Sequence, residues 1–551
     1  MGLGAGAFGA SLVAFSGCAH RTGQGPGRCD VRALGARGDG TSDDTPVFQS
    51  ALDACAKTGG GTVIVPAGRY LLRPIFVGNK TTLHLDAGAV LLASQRLDDY
   101  PREAEGSSGH ESSRAGLVTL RDAQDVAITG RGVIEGHGQS FVTTDLTYAG
   151  KDHDPKVTRQ GADFLKPPPG GFPHGPFRRG DDRPGNLVRV KSCRNVHLEG
   201  ITIQNSPTWT LHVEKCVDVT MAGLHINSHA SDLRVPNDDG IDLSQCRRVR
   251  IIGCDIDTGD DCIAIFGSED VAVSSCTLSS RSTAIRVGYS GGHIRNCTFD
   301  NLIIRRSNRG VSVFVRGADS VENISFSNLS IETQHFSGRW WGNAEPIHVS
   351  ACLWDPKADR PGVIRNVRFS NVDAVGEAGV LVHGAEDSVI EDVVFDRLRV
   401  QIKPGPLQEV RGGNFDLRST RDLAKAIVKH DIPGMHCERV RGLRVRDLAV
   451  RWDAGLPSYF TEALAIEKFE DVVVEGFEGS PAHGAGSAIA LREGRDATLR
   501  FCRANGPAAA LVAHRDVASR LRLEGCSAAP ALQLVEPAGG IVELVDSRVA
   551  G

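Results

Sequence analysis

Two short stretches concentrate carboxylates inside an otherwise apolar, strand-forming pattern: Asn237-Asp238-Asp239-Gly240-Ile241-Asp242 and, about one repeat later, Gly259-Asp260-Asp261-Cys262-Ile263. Acids crowded in this way repel one another, so at least one is expected to have a raised pKa and to hold a proton near neutrality. A protonated acid beside ionised ones is the equipment of glycoside hydrolysis, in which one group protonates the leaving oxygen and another activates water. Clustered carboxylates equally suit a hard cation such as calcium. They also occur as solvated turn acids with no chemistry to do. The pattern alone does not choose among the three.

The elements that must position these acids repeat along the chain. After an Asp-rich turn, residues 46–56 have helix-like apolar spacing, and Gly61-Thr62-Val63-Ile64-Val65-Pro66 reads as a first strand. Beyond it a motif recurs: a polar residue, an alternating apolar strand, then Gly, Cys or Asn. It is seen at Asp125-Val126-Ala127-Ile128, Asn195-Val196-His197-Leu198, Asp218-Val219-Thr220-Met221, Arg248-Val249-Arg250-Ile251 and Asp270-Val271-Ala272-Val273, and again at Asn366, Asp392 and Asp471. Spacings of roughly 22 to 30 residues without helical period indicate a solenoid; propeller blades need about 40, and a sandwich shows no fixed period. The expected fold is all-β, a right-handed parallel β-helix solenoid with a short N-terminal capping helix, spanning residues 29–551. A long loop at about 140–185 and a weaker pattern at about 402–440 interrupt it.

Residues one coil apart in such a solenoid stack at about 4.8 Å. With Ile241 and Leu243, Ile263 and Ile265, Ile285 and Val287, and Ile347 and Val349 pointing inward, Asp239, Asp261 and Thr283 fall on one level, and Asp238, Asp260 and Ser282 on the next. The outward positions then form a second ladder of Arg189, His212, Asp242, Ala264, Arg286, Ser312 and His348. This is a polar, largely cationic strip suited to an acidic sugar, with room for a ligand over the small Ala264. Glu345 falls in register with Asp239 and Asp261 as a fourth acid.

The whole-chain numbers fit a large globular protein. A chain of 551 residues, 40% hydrophobic, can bury a large core. Its net charge of −5 argues against nucleic acid as a partner. Residues 1–28 read as an export signal or lipoprotein leader: an uncharged Gly/Ala-rich run ends in Ser16-Gly17-Cys18, where Cys18 would be lipidated and attach the protein to a membrane. The expected location is therefore exported: periplasmic, cell-envelope lipoprotein or secreted. No later stretch has the roughly 20 apolar residues of a membrane span. Of the 14 Cys, Cys254, Cys276 and Cys297 recur at coil spacing and read as a stack of small buried thiols. No Cys/His spacing matches a zinc site, and no metal or cofactor is expected. The expected partner is a polysaccharide or oligosaccharide substrate, and the protein is expected to act as a monomer.

Over residues 30–400 the sequence resembles glycoside hydrolase family 28, the polygalacturonases and rhamnogalacturonases. The resemblance is carried by Arg183-Pro184, Asn205-Ser206-Pro207-Thr208-Trp209, Asn237-Asp238-Asp239-Gly240-Ile241-Asp242 and Gly259-Asp260-Asp261-Cys262, in the family's order. The entry segment at 31–68 resembles that of pectate-lyase-like β-helix proteins. The resemblance implies Asp260 as general acid, Asp239 and Asp261 as activators of water for inverting hydrolysis, and Asn237 as a residue that helps hold the site. It implies a pectin-like or related acidic polysaccharide as substrate. Ser282-Thr283-Ala284 stands where the family carries Gly-His-Gly, and Ser312-Val313-Phe314 where it carries the substrate-gripping Arg-Ile-Lys. The substrate contacts are therefore expected from Asn237, Asp242, His212, Arg286 and Arg316, and from Trp340, Trp341, Glu345 and His348. The alternatives on the same scaffold are a calcium-dependent lyase with Arg286 as base, and a non-catalytic glycan-binding solenoid.

Overall fold

A computed structural model describes residues 27–103, 112–143, 154–165, 178–179, 182–228, 235, 237–289, 291–336, 341–506, 510–515, 520–528, 533–536 and 541–549. The leader with Cys18, Trp340 and much of the 140–185 loop lie outside the described residues.

Each repeat contributes strands to parallel sheets stacked as in a β-helix. One face is a sheet of 15 strands in unbroken chain order, from Ile75–Val77 to Gln533–Glu536, and a sheet of 29 strands forms the rest of the wall. In the middle of the chain two short strands, Glu269–Ser274 and Thr277–Ser280, both pair with the single long strand Ile294–Ser307. The larger sheet therefore turns a corner, and that long strand bends at Asn301, whose φ is +56°.

The polar residue that leads each sequence motif has a backbone reason to be there. Asp125, Asn195, Asp218, Arg248, Asp270, Asn323, Asn366, Asp392 and Asp471 all adopt φ between +52° and +62°. Asn and Asp tolerate this left-handed conformation better than other side chains. They also bond to the same position one coil away: Asn366 Nδ2 donates to Asn323 Oδ1 at 2.9 Å, and Asn323 Nδ2 to Asn296 Oδ1 at 3.2 Å.

The alternating apolar residues fill the interior. Phe299, Phe326, Phe369 and Phe395 stack with centroids 4.6, 4.8 and 5.0 Å apart. Cys254, Cys276 and Cys297 are buried free thiols, as their spacing suggests. The helix Thr45–Lys57 caps the N-terminal coil with Phe48, Ala51, Leu52 and Cys55, opening on Pro46 in its first turn. The Asp-rich segment before it, expected as a turn, is instead a short strand, Asp39–Asp43, paired with Gly68–Leu72, within which Asp39 accepts from the backbone N–H of Thr41 and Ser42. Among the described residues, no helix is long and apolar enough to cross a membrane.

Two peripheral segments interrupt the coils. In the weaker 402–440 region, Asn414–Asp416 pairs antiparallel with Ile427–Lys429 as a hairpin. Arg159, from the 140–185 loop, reaches it: its backbone N–H donates to Asn414 Oδ1 at 2.7 Å and its guanidinium to Asp431 at 3.0 Å. The two segments thus join coils lying on either side of the acidic stretches.

Candidate active site

The 15-strand sheet carries the acids at the entrance to its strands. Ile241 pairs with Ile263 and Ile263 with Ile285, which sets the register. Just before these strands, the Gly240 N–H donates to Asp261 O at 2.8 Å and the Cys262 N–H to Thr283 O at 3.1 Å, so Asp239, Asp261 and Thr283 share a level as expected. Gly240 is required there, since a Cβ would lie 2.5 Å from Cys262 O.

Asp239, Asp260 and Asp261 come together, each offering a carboxylate oxygen within 4.8 Å of the others. Asp239 and Asp261 are only 3% exposed, whereas Asp260 is half-buried. The Asp260 carbonyl accepts from the hydroxyls of Thr258 at 2.7 Å and Ser280 at 2.6 Å, which anchors its backbone. Burial, and then the neighbouring Asp261, push the Asp260 pKa up to about 8. Asp239 is raised by burial, then by Asp260, Asp242 and Asp261. Asp242 is fully enclosed and raised chiefly by burial. The site therefore holds protonated acid near neutrality.

Arg286 counterbalances them. Its Nε donates to Asp261 Oδ2, and its Nη2 lies 3.9 Å from Asp239 Oδ2. Burial works against its charge, but Asp261 and Asp239 outweigh burial and raise its pKa. An arginine so held is a poor proton acceptor, which counts against the base role that the lyase reading assigned to it. Ala264, over which a ligand was expected, is itself fully buried. The guanidinium packs over the ring of Phe266 at 4.6 Å and that of Tyr289 at 5.3 Å. Phe266 in turn stacks on Trp209 at 6.0 Å, and Tyr289 on Trp341 at 5.9 Å. Phe266 and Tyr289 were not singled out in the sequence, although both flank outward positions of the charged ladder.

Other expected contacts are placed differently. The outward ladder from Arg189 to His348 has the anticipated register, but it is covered rather than open. His212 is enclosed between Asn186 and Ser244, and burial lowers its pKa to about 3. Arg316 is fully buried and donates to Ser350 O, Ser350 Oγ and Leu417 O. Burial would raise the Glu345 pKa, but Arg309, whose Nε donates to it at 3.1 Å, holds it down at about 2, so Glu345 is not a fourth acid. His348 bonds Ser350 at 2.9 Å, and burial lowers its pKa to about 4. The cause is the hairpin at 414–429: Asp416 sits over this end of the sheet, accepting from the Gly342 N–H at 2.8 Å and pairing with Arg309 and Arg418. Asn237, at φ +58°, accepts from Arg183 Nη2 at 2.8 Å, which ties the Arg183-Pro184 motif to the acidic stretch.

A parallel β-helix with three converging acids on one sheet, two of them with raised pKa values, fits a polysaccharide-hydrolysing class of solenoid. The family model for glycosyl hydrolases family 28 matches residues 177–338, and a rhamnogalacturonase A/epimerase, pectate lyase-like model matches 29–91. The central part of the chain is thus similar to glycoside hydrolase family 28. It is 28% identical over 430 residues to a probable polygalacturonase of Arabidopsis thaliana, covering 74% of this chain and 80% of the relative. It is 26% identical over 398 residues to a polygalacturonase of Persea americana, covering 70% and 73%. Among solved structures, an exopolygalacturonase from Thermotoga maritima superposes with a TM-score of 0.56 at 24% identity, over 69% of this chain and 88% of that one. A family 28 exopolygalacturonase from Yersinia enterocolitica gives 0.55 at 18% identity, over 82% and 79%.

Proposed function

We propose that this protein is a polygalacturonase-like hydrolase that cleaves a pectic polysaccharide, with Asp260 as general acid and Asp239 and Asp261 positioning the attacking water. The carrying observation is the unequal treatment of three acids within 4.8 Å. Asp260 is the most accessible and keeps its proton up to about pH 8, so it suits protonation of a glycosidic oxygen. Asp239 and Asp261 are set back, and Asp261 is bound by Arg286. Carboxylates so placed reach a sugar through a water more readily than by direct attack.

The family resemblance implies inversion at the anomeric carbon. The oxygens stand closer than the roughly 6.5–9.5 Å of most inverting pairs, which makes stereochemistry the sharpest test. Proton NMR of the first products from de-esterified polygalacturonate should show the anomer opposite to the substrate linkage; retention would discard the water-positioning roles. Asp260→Asn should lower kcat by about 100-fold or more, and near-normal turnover would exclude Asp260 as the acid. Activity should survive chelation, because Arg286 already supplies the positive charge that a cation would bring. Export is part of the proposal and is supported by the apolar run ending at Cys18.

A further inference from the structure

A buried guanidinium without a counter-charge costs several kcal/mol, so each buried arginine near the acids should have a partner. Arg286 has Asp261, Arg309 has Glu345, Arg418 has Asp416, Arg183 has Asn237, and Arg316 has the oxygens of Ser350. Arg281 differs. It is 6% exposed, its Nε is enclosed without a hydrogen bond, and among the described residues its side chain has no carboxylate or carbonyl partner. Its guanidinium lies over the ring of Phe336 at 5.6 Å. Stacking of this kind fixes the plane of the group while leaving its edge for an anion. Burial alone draws its pKa down to about 9, so it stays a cation at neutral pH.

The position of Arg281 gives the vacant charge a meaning. It occupies the turn between Thr277–Ser280 and Thr283–Tyr289, with its N–H donating to Thr258 O at 3.3 Å. The next residue, Ser282, is level with Asp260, and its nearby hydroxyl works to lower the Asp260 pKa. Meanwhile Ser312 and Phe314, which stand where family 28 carries its cationic grip, are both enclosed.

We propose that Arg281 is a specificity residue that binds the carboxylate of a uronate unit seated beside Asp260. The inference rests on the reading of the site as a uronide hydrolase. A planar guanidinium with free edge donors matches a carboxylate bidentately, and the ligand would supply the counter-charge that the protein lacks.

The test compares wild type, Arg281→Gln and Arg281→Lys on de-esterified oligogalacturonides and on their methyl esters, which differ in charge at the same carbon. The ratio of kcat/KM for acid over ester should fall by about 10- to 100-fold in Arg281→Gln, through KM more than kcat, and recover in part in Arg281→Lys. The melting temperature of Arg281→Gln should hold or rise, because no partner is left behind; a structural arginine would lower it. A folded Arg281→Gln with an unchanged ratio overturns the proposal and leaves the hydrolase reading intact. A wild type that cleaves neither substrate overturns the hydrolase reading instead. Calorimetric binding of a de-esterified trimer to Asp260→Asn, with and without Arg281→Gln, then decides the role of Arg281 separately: weaker binding in the double variant supports it, and equal binding or none in both overturns it.

Discussion

Arg286 is the residue on which the acid cluster depends. It joins Asp261 directly and lies close to Asp239, and its attraction also opposes the raised pKa of the enclosed Asp242. Removing one partner of a buried ion pair costs about 3–5 kcal/mol, because the other is left uncompensated. Arg286→Met should therefore lower stability by about that amount in chemical denaturation, and Asp261→Asn added to it should restore part of the loss without restoring activity. The pH dependence is decided here too. Asp260 has its folded pKa raised to about 8, so the protonated form that the proposed acid role requires is present below that value and is lost as pH rises through it. The alkaline limb of kcat/KM should lie near pH 8 and disappear as a distinct limb in Asp260→Asn. The same sign governs stability: the contribution of this acid is fully present below its unfolded pKa and declines as pH rises through about 8. Because the acids are close, the measured values belong to the set.

At the scale of elements, the recurring strands present the acids while the peripheral segments decide what reaches them. The hairpin Asn414–Asp416 with Ile427–Lys429 covers the coils that carry Arg309, Arg316 and His348, and Arg159 ties it to the segment after Val142–Thr143. Cover over this end of the sheet predicts action at a chain terminus rather than within a long chain. Small acidic oligomers should therefore accumulate while viscosity falls slowly relative to the release of reducing ends; rapid viscosity loss would refute this. Asp416→Ala, which strips Arg309 and Arg418 of a shared partner, should shift that balance toward internal cleavage and lower stability by about 3–5 kcal/mol.

For the whole molecule, stability comes from like residues stacked along the axis. Phe326 lies between Phe299 and Phe369 at 4.6 and 4.8 Å. Phe326→Ala should cost about 3–5 kcal/mol by opening a cavity in a ladder that cannot close without shifting a coil, measured by urea denaturation. Much of this was legible in the chain. A parallel solenoid has a short repeat, and the side chains of a strand alternate between core and exterior, so spacing alone aligned Asp239 with Asp261 and Arg286 with Ser312. Even the leading Asn and Asp of each motif carried the backbone requirement for a left-handed turn. What the sequence could not state was which outward residues remain outward. His212 has the right register but is enclosed by Asn186, Ser244 and Trp209; for Arg316, Glu345 and His348 a hairpin about 70 residues further along the chain from His348 covers that end of the sheet, and Arg309 claims Glu345. Arg281, unremarkable as a turn residue, became a candidate only when every neighbouring arginine had found its partner. Local periodicity determined the coil and the acids it stacks; the long-range packing of charged side chains decided which of them are free to meet a substrate.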